Sequence, residues 1–142
     1  MTKEIITKNR KETVDLGKSF ASKLSGGEIV CLYGDLGTGK TSFSQGVLQG
    51  LGAKGPYTSP TFVIMKEYKI LNDKNIENVY HIDAYRIGGD DMMDLGWKEL
   101  VEYGKNIVII EWAEKIKEII PQKSKKIEFL YISENKRKII FK

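Results

Sequence analysis

The sequence predicts an α/β fold: a sandwich with a mixed, mainly parallel central sheet flanked by helices. Three observations point to it. Glu28–Tyr33 and Asn106–Trp112 are near-continuous apolar runs of strand length, the pattern of strands covered on both faces. Segments with helical spacing stand between the strands, as in Glu12–Leu24, where Leu16, Phe20 and Leu24 recur every four residues. A glycine-rich turn joins the first apolar strand directly to a helix.

In chain order, a short strand at Glu4–Thr7 leads to the helix Glu12–Leu24. Ser25-Gly26-Gly27 stops that helix, because glycine takes the left-handed conformation found at helix ends. After the strand Glu28–Tyr33 and the glycine loop, a second helix runs from Lys40 to Leu51 and ends at the Gly50 and Gly52 pair. Ala53–Ser59 is rich in turn residues; strands follow at Phe62–Tyr68 and Asn78–Asp83. Arg86–Tyr103 reads as loop with short helical turns. Beyond Asn106–Trp112, a helix stops before Pro121. Lys125–Ile132 and Arg137–Phe141 close the chain as a hairpin around Ser133-Glu134-Asn135-Lys136. Strand order does not follow from this pattern.

Composition narrows the class. Residues 1–142 read as a single domain, 41% hydrophobic and 30% charged, ordinary values for a soluble globular protein. No segment has the run of about 20 apolar residues that a membrane helix needs. Charges interrupt the apolar N-terminal residues, so they make no secretory signal. The lone cysteine, Cys31, sits in an apolar run and reads as core packing. A reduced, cytoplasmic domain is expected. The net charge of +4 favours approach to anions, and the lysines between Lys115 and Lys142 read either as a solvated face or as a polyanion-facing patch.

Gly34-Asp-Leu-Gly-Thr-Gly39-Lys40-Thr41 satisfies the phosphate-loop pattern G-x-x-x-x-G-K-[ST]. Its glycines let successive N–H groups turn inward onto phosphate oxygens, and the helix that follows adds its positive end. Lys40 would stand against the β- and γ-phosphates, and the Thr41 hydroxyl would coordinate Mg²⁺. The fold expected is therefore of the P-loop NTPase type. Two apolar strands end in an acid, Asp83 and Glu111, at the sheet end where open α/β folds bind ligands. One could hold the metal while the other orients water; spacing does not say which. An acid capping the next helix or turn is the plain alternative for either.

Ser59-Pro60-Thr61-Phe62 falls where nucleotide switches place a loop over the γ-phosphate, although a turn entering a strand accounts for it equally. His81, the single histidine, reads as a packed or hydrogen-bonded core residue. Arg86 could touch phosphate or form an ion pair, and Trp112 could pack by the nucleotide, in the core or against a partner. No Asn-Lys-x-Asp guanine signature occurs, and no Asp has Gly three residues on, so ATP is preferred over GTP.

Taken together, Gly34–Thr41, Ser59-Pro-Thr-Phe62, His81-Ile-Asp-Ala-Tyr-Arg86 and Glu111-Trp112, in that order, resemble one family: the bacterial ATPase TsaE, also called YjeE, of threonylcarbamoyladenosine biosynthesis on tRNA. The resemblance runs from Thr13-Val-Asp-Leu-Gly17 to the final strands. Thr38 departs from the family's usual alanine at a position where the backbone does the binding.

The resemblance implies an ATP- and Mg²⁺-dependent factor that works with TsaB and TsaD, meeting tRNA indirectly through that pair. By analogy, Thr41, Glu111 and Asp83 form the metal side, with Lys40, Asp83 and Glu111 catalytic. Gly37, Thr38, Gly39, Lys40, Thr41 and Ser42 hold the nucleotide, Thr13 and Arg137 lie near adenine, and Ser59 and Thr61 belong to a switch. A partner-supplied arginine would raise hydrolysis by about 10³–10⁵-fold, so slow hydrolysis by the chain alone is expected. A small-molecule kinase and a nucleotide-gated adaptor are the competing readings. Against the kinase, the sequence has no arginine-rich lid insertion.

Overall fold

The inner strands are apolar throughout because both of their faces are covered. In the computed structural model, which describes residues 2–57 and 64–142, Ile29–Tyr33 (β2) and Asn106–Glu111 (β5) form the middle of a seven-stranded sheet. The other strands are Lys3–Thr7 (β1), Met65–Lys69 (β3), Asn78–Asp83 (β4), Lys125–Tyr131 (β6) and Arg137–Phe141 (β7). Their order is β1-β7-β6-β2-β5-β4-β3. The four central strands β6, β2, β5 and β4 are parallel; β3 at one edge and β7 with β1 at the other pair antiparallel. The mixed sheet with a parallel centre agrees with the expected class.

Alternation along the central strands sorts side chains between two cores. Val30, Leu32, Ile107 and Ile109 pack with Phe20, Phe43, Val47 and Leu48 under the helices Arg10–Ala21 (α1) and Lys40–Gly50 (α2). Ile29, Cys31, Val108 and Ile110 face the other way. They pack with Met92 of Gly89–Asp94 (α3), Trp97 of Trp97–Glu102 (α4), and Ala113 and Ile116 of a 3₁₀ segment, Ala113–Ile119. Cys31 is fully buried and burial pushes its thiol up, in keeping with core packing. Among the described residues no helix is long and apolar enough to cross a membrane.

Several element ends differ from the sequence reading by a few residues, and three of the differences have a local cause. Helix α1 begins at Arg10 because Asn9 caps it: its side chain accepts from the Glu12 N–H at 2.8 Å, while the Glu12 carboxylate accepts from the Lys8 N–H at 2.8 Å. The helix expected before Pro121 is a kinked 3₁₀ segment, broken at Ile116, where φ is −129°. Strand β5 ends at Glu111, since Trp112 takes the left-handed conformation with φ +61°.

Helices α1 and α2 touch backbone to backbone. A Cβ on Gly46 would lie 2.0 Å from the Val14 carbonyl oxygen, and one on Gly17 would lie 2.2 Å from that of Phe43. This contact sets the first turn of α1 beside the start of α2. Across the sheet, the buried amides of Asn78 and Asn106 pin the β4–β5 register, with Asn78 Nδ2 donating to Asn106 Oδ1 at 2.9 Å. The same register places Asp83 directly beside Glu111 at the other end.

Candidate functional site

Strand β2 runs into the loop 34–39, and the backbone there explains the glycines. Gly34, Gly37 and Gly39 have φ of +145°, +80° and +102°. At Gly34 any side chain would also collide with the Phe129 carbonyl oxygen, 2.6 Å from the Cβ position. Gly39 stands at the N-terminus of α2, whose first residues are Lys40, Thr41 and Ser42. Gly39 gives that end no side-chain cap, and uncapped amides at a helix N-terminus suit an anion.

The loop opens into a cleft of about 850 Å³. Sheet order sets out its two flanks. On one side of β2, the ends of β5 and β4 bring Glu111 and Asp83, aligned on adjacent parallel strands. The Ala84 N–H donates to the Glu111 carbonyl at 3.0 Å and latches these ends together. On the other side, β7 begins with Arg137, and α1 supplies Arg10 and Thr13 beside its cap, Asn9.

Lys40 is buried at 5% exposure. Its ammonium donates to the Gly34 carbonyl and lies 4.0 Å from the centre of the Trp112 ring. Burial pushes Lys40 below the usual lysine range, while Glu111, Glu114, Asp83 and Asp35 act in the opposite direction. The left-handed turn at Trp112, uncommon for a bulky residue, brings the indole back over the loop lysine. Tyr85 packs on the indole at 5.0 Å between ring centres.

Of the residues singled out from sequence, Thr13, Gly37, Gly39, Lys40, Thr41, Ser42, Asp83, Glu111 and Arg137 all line this one cleft. Thr38 does not: its hydroxyl turns away to donate to the Asp35 carbonyl at 2.6 Å, bracing the loop. Ser59 and Thr61 lie outside the described residues. Arg137 is both wall and clamp; its Nε donates to the Gly37 carbonyl at 3.1 Å and its Nη1 to the Ser133 carbonyl at 2.6 Å. Arg86 lines the cleft and makes no ion pair among the described residues, so of the two readings of it the ion pair does not hold there. His81 is hydrogen-bonded within the core, and its partner is Glu111, at 2.7 Å.

Sequence reasoning missed Asn9, Arg10, Tyr85 and the hairpin residues Glu134 and Asn135 as lining groups. For Asn9 a signal existed, the Asn-x-x-Glu capping pattern of residues 9–12. The hairpin carries no motif; only strand order brings it beside the loop.

A family model described as "Threonylcarbamoyl adenosine biosynthesis protein TsaE" matches residues 7–139. The chain belongs to the TsaE family. Its relatives include "tRNA threonylcarbamoyladenosine biosynthesis protein TsaE" of Bacillus subtilis (strain 168), 38% identical over 135 residues, spanning 95% of this chain and 82% of the relative. The Aquifex aeolicus (strain VF5) protein of the same description is 35% identical over 143 residues, spanning 98% and 95%. Among solved structures, Bacillus subtilis YdiB superposes with a TM-score of 0.79 at 30% identity, covering 99% of this chain and 84% of its own. The matched span includes the glycine loop and both acidic strand ends.

Proposed function

We propose that this TsaE-family chain is a Mg²⁺-dependent ATPase that serves the threonylcarbamoyl modification of tRNA, with TsaB and TsaD as its partners. The observation that carries the reading is the convergence of Lys40, Thr41, Asp83 and Glu111 on one cleft at the mouth of the glycine loop. Family membership supports the pathway, and the resemblance of the sequence implies the partners.

The oxygen donors suit magnesium. A hydroxyl from Thr41 and carboxylates from Asp83 and Glu111 are hard ligands. No cluster of three or more His, Cys, Asp or Glu residues able to hold a metal occurs among the described residues. That fits an ion held by one or two side chains and by the phosphates themselves. Bound there, the ion would neutralise charge developing on the phosphoryl oxygens.

The chain's own groups do the remaining work. Loop amides and the α2 N-terminus bind the phosphates, and Lys40 leaves the Gly34 carbonyl to meet them. Of the two carboxylates, the one not on the metal orients the attacking water. Thr13 and Arg137, on the opposite flank, lie at the base end of the nucleotide. The three arginines of the chain, Arg10, Arg86 and Arg137, all line the cleft, and only Arg86 stands on the carboxylate flank.

The test follows the γ-phosphate of ATP, first with the chain alone and then with TsaB and TsaD. Slow release, accelerated by the partners and abolished by Lys40→Ala, is expected. Phosphate appearing on a small molecule, or partners without effect, would replace this reading with a kinase.

A further inference from the structure

His81 and Glu111 project from neighbouring parallel strands onto the face shared with α1 and α2, and they meet at 2.7 Å between Nε2 and Oε2. Both are buried, His81 at 1% and Glu111 at 5% exposure. This is the one hydrogen bond that Glu111 makes through its side chain among the described residues. The other ring nitrogen of His81, Nδ1, is buried without a hydrogen-bond partner among the described residues. A buried imidazole held on one side only, against an acid that lines the cleft, has a geometry that core packing does not require.

We propose that His81 is the positioning residue for Glu111: its Nε2–H donates to Oε2, fixes the carboxylate's rotamer, and leaves Oε1 free for the cleft. The inference rests on the ATPase reading above. Ring orientation follows from the fold, since β4 and β5 are locked in register by the Asn78–Asn106 amide pair. A donor to one carboxylate oxygen holds the group ready for metal or water, and partners of this kind are typically worth about 10–100-fold in metal affinity or activity.

Because His81 is the only histidine, ¹⁵N-histidine labelling yields a single ring spin system. In the wild-type chain at neutral pH, Nε2 is expected to carry the proton. A bare Nε2, with the proton on Nδ1, overturns the proposal without any mutation.

The second arm compares His81→Phe, which keeps a planar ring without a donor, with His81→Gln, which keeps an N–H donor. The readouts are turnover with the partners present and the ratio of ADP affinities with and without Mg²⁺. His81→Phe is expected to lose about 10–100-fold in turnover and to flatten the Mg²⁺ effect on ADP binding, while metal-free ADP binding holds. His81→Gln should recover most of both. Equal activity in His81→Phe and wild type, or equal losses in the two variants at unchanged metal-free ADP binding, overturns the assignment. A wild-type chain that fails to hydrolyse ATP with its partners overturns the ATPase reading itself, before any variant is compared.

Discussion

Gly46→Ala places a single methyl group where two helices already touch. A C–H···O contact needs about 3.3 Å, and the new Cβ would stand 2.0 Å from the Val14 carbonyl oxygen and 3.1 Å from the Gly17 Cα. All the nearest atoms are backbone, so no rotamer change relieves the clash. The helices must part by roughly an ångström along a close-packed face, the kind of overpacking that costs about 3 kcal/mol. Helix propensity acts the other way, because alanine gains about 1 kcal/mol over glycine inside a helix. The net expectation is destabilisation by about 2 kcal/mol, or a Tm lower by roughly 8 °C for a domain of this size.

Urea unfolding followed by circular dichroism measures the change, with Gly104→Ala as the comparator. A Cβ at Gly104 meets nothing within 4 Å, so that variant should stay within about 0.5 kcal/mol of wild type. The clash also bears on function, because α1 carries Thr13 beside Val14 and α2 begins with Lys40 and Thr41. Weaker ADP binding should therefore accompany the loss of stability. Were Gly46→Ala as stable as wild type, or more stable, helix propensity would outweigh the contact and the account of the α1–α2 interface would be refuted.

Two further predictions concern single side chains. Arg137→Ala removes the donor that ties the β6–β7 hairpin to the Gly37 carbonyl; hydrogen bonds from a charged group contribute about 1.5–3 kcal/mol to stability, so thermal unfolding should show a lower Tm, and ADP affinity by calorimetry should fall as the loop loses its clamp; an unchanged Tm would mean that Arg137 does not hold the loop. Asn106→Leu leaves the Asn78 amide and the Leu100 carbonyl without their partner, so thermal unfolding should show a loss of about 1–3 kcal/mol; an unchanged Tm would mean the pair does not pin the register.

Residues adjacent in the chain made much of this protein legible. The alternation of apolar strands with helical periods, the glycine loop and the acids closing two strands are local patterns, each set by backbone geometry or by burial of a nearby segment. So the fold class, the loop, and Lys40, Thr41, Asp83 and Glu111 could be read from them. Three things depended on contacts between distant segments. Strand order put the β6–β7 hairpin, and with it Arg137, beside a loop about a hundred residues earlier. Parallel register brought His81 against Glu111, a pairing that neither strand encodes alone. The left-handed turn at Trp112 took an aromatic out of the expected strand and set it over Lys40. Periodicity and propensity describe how a segment relates to its own neighbours; which strand lies beside which is decided by the packing of the whole sheet, and the geometry of this site is made there.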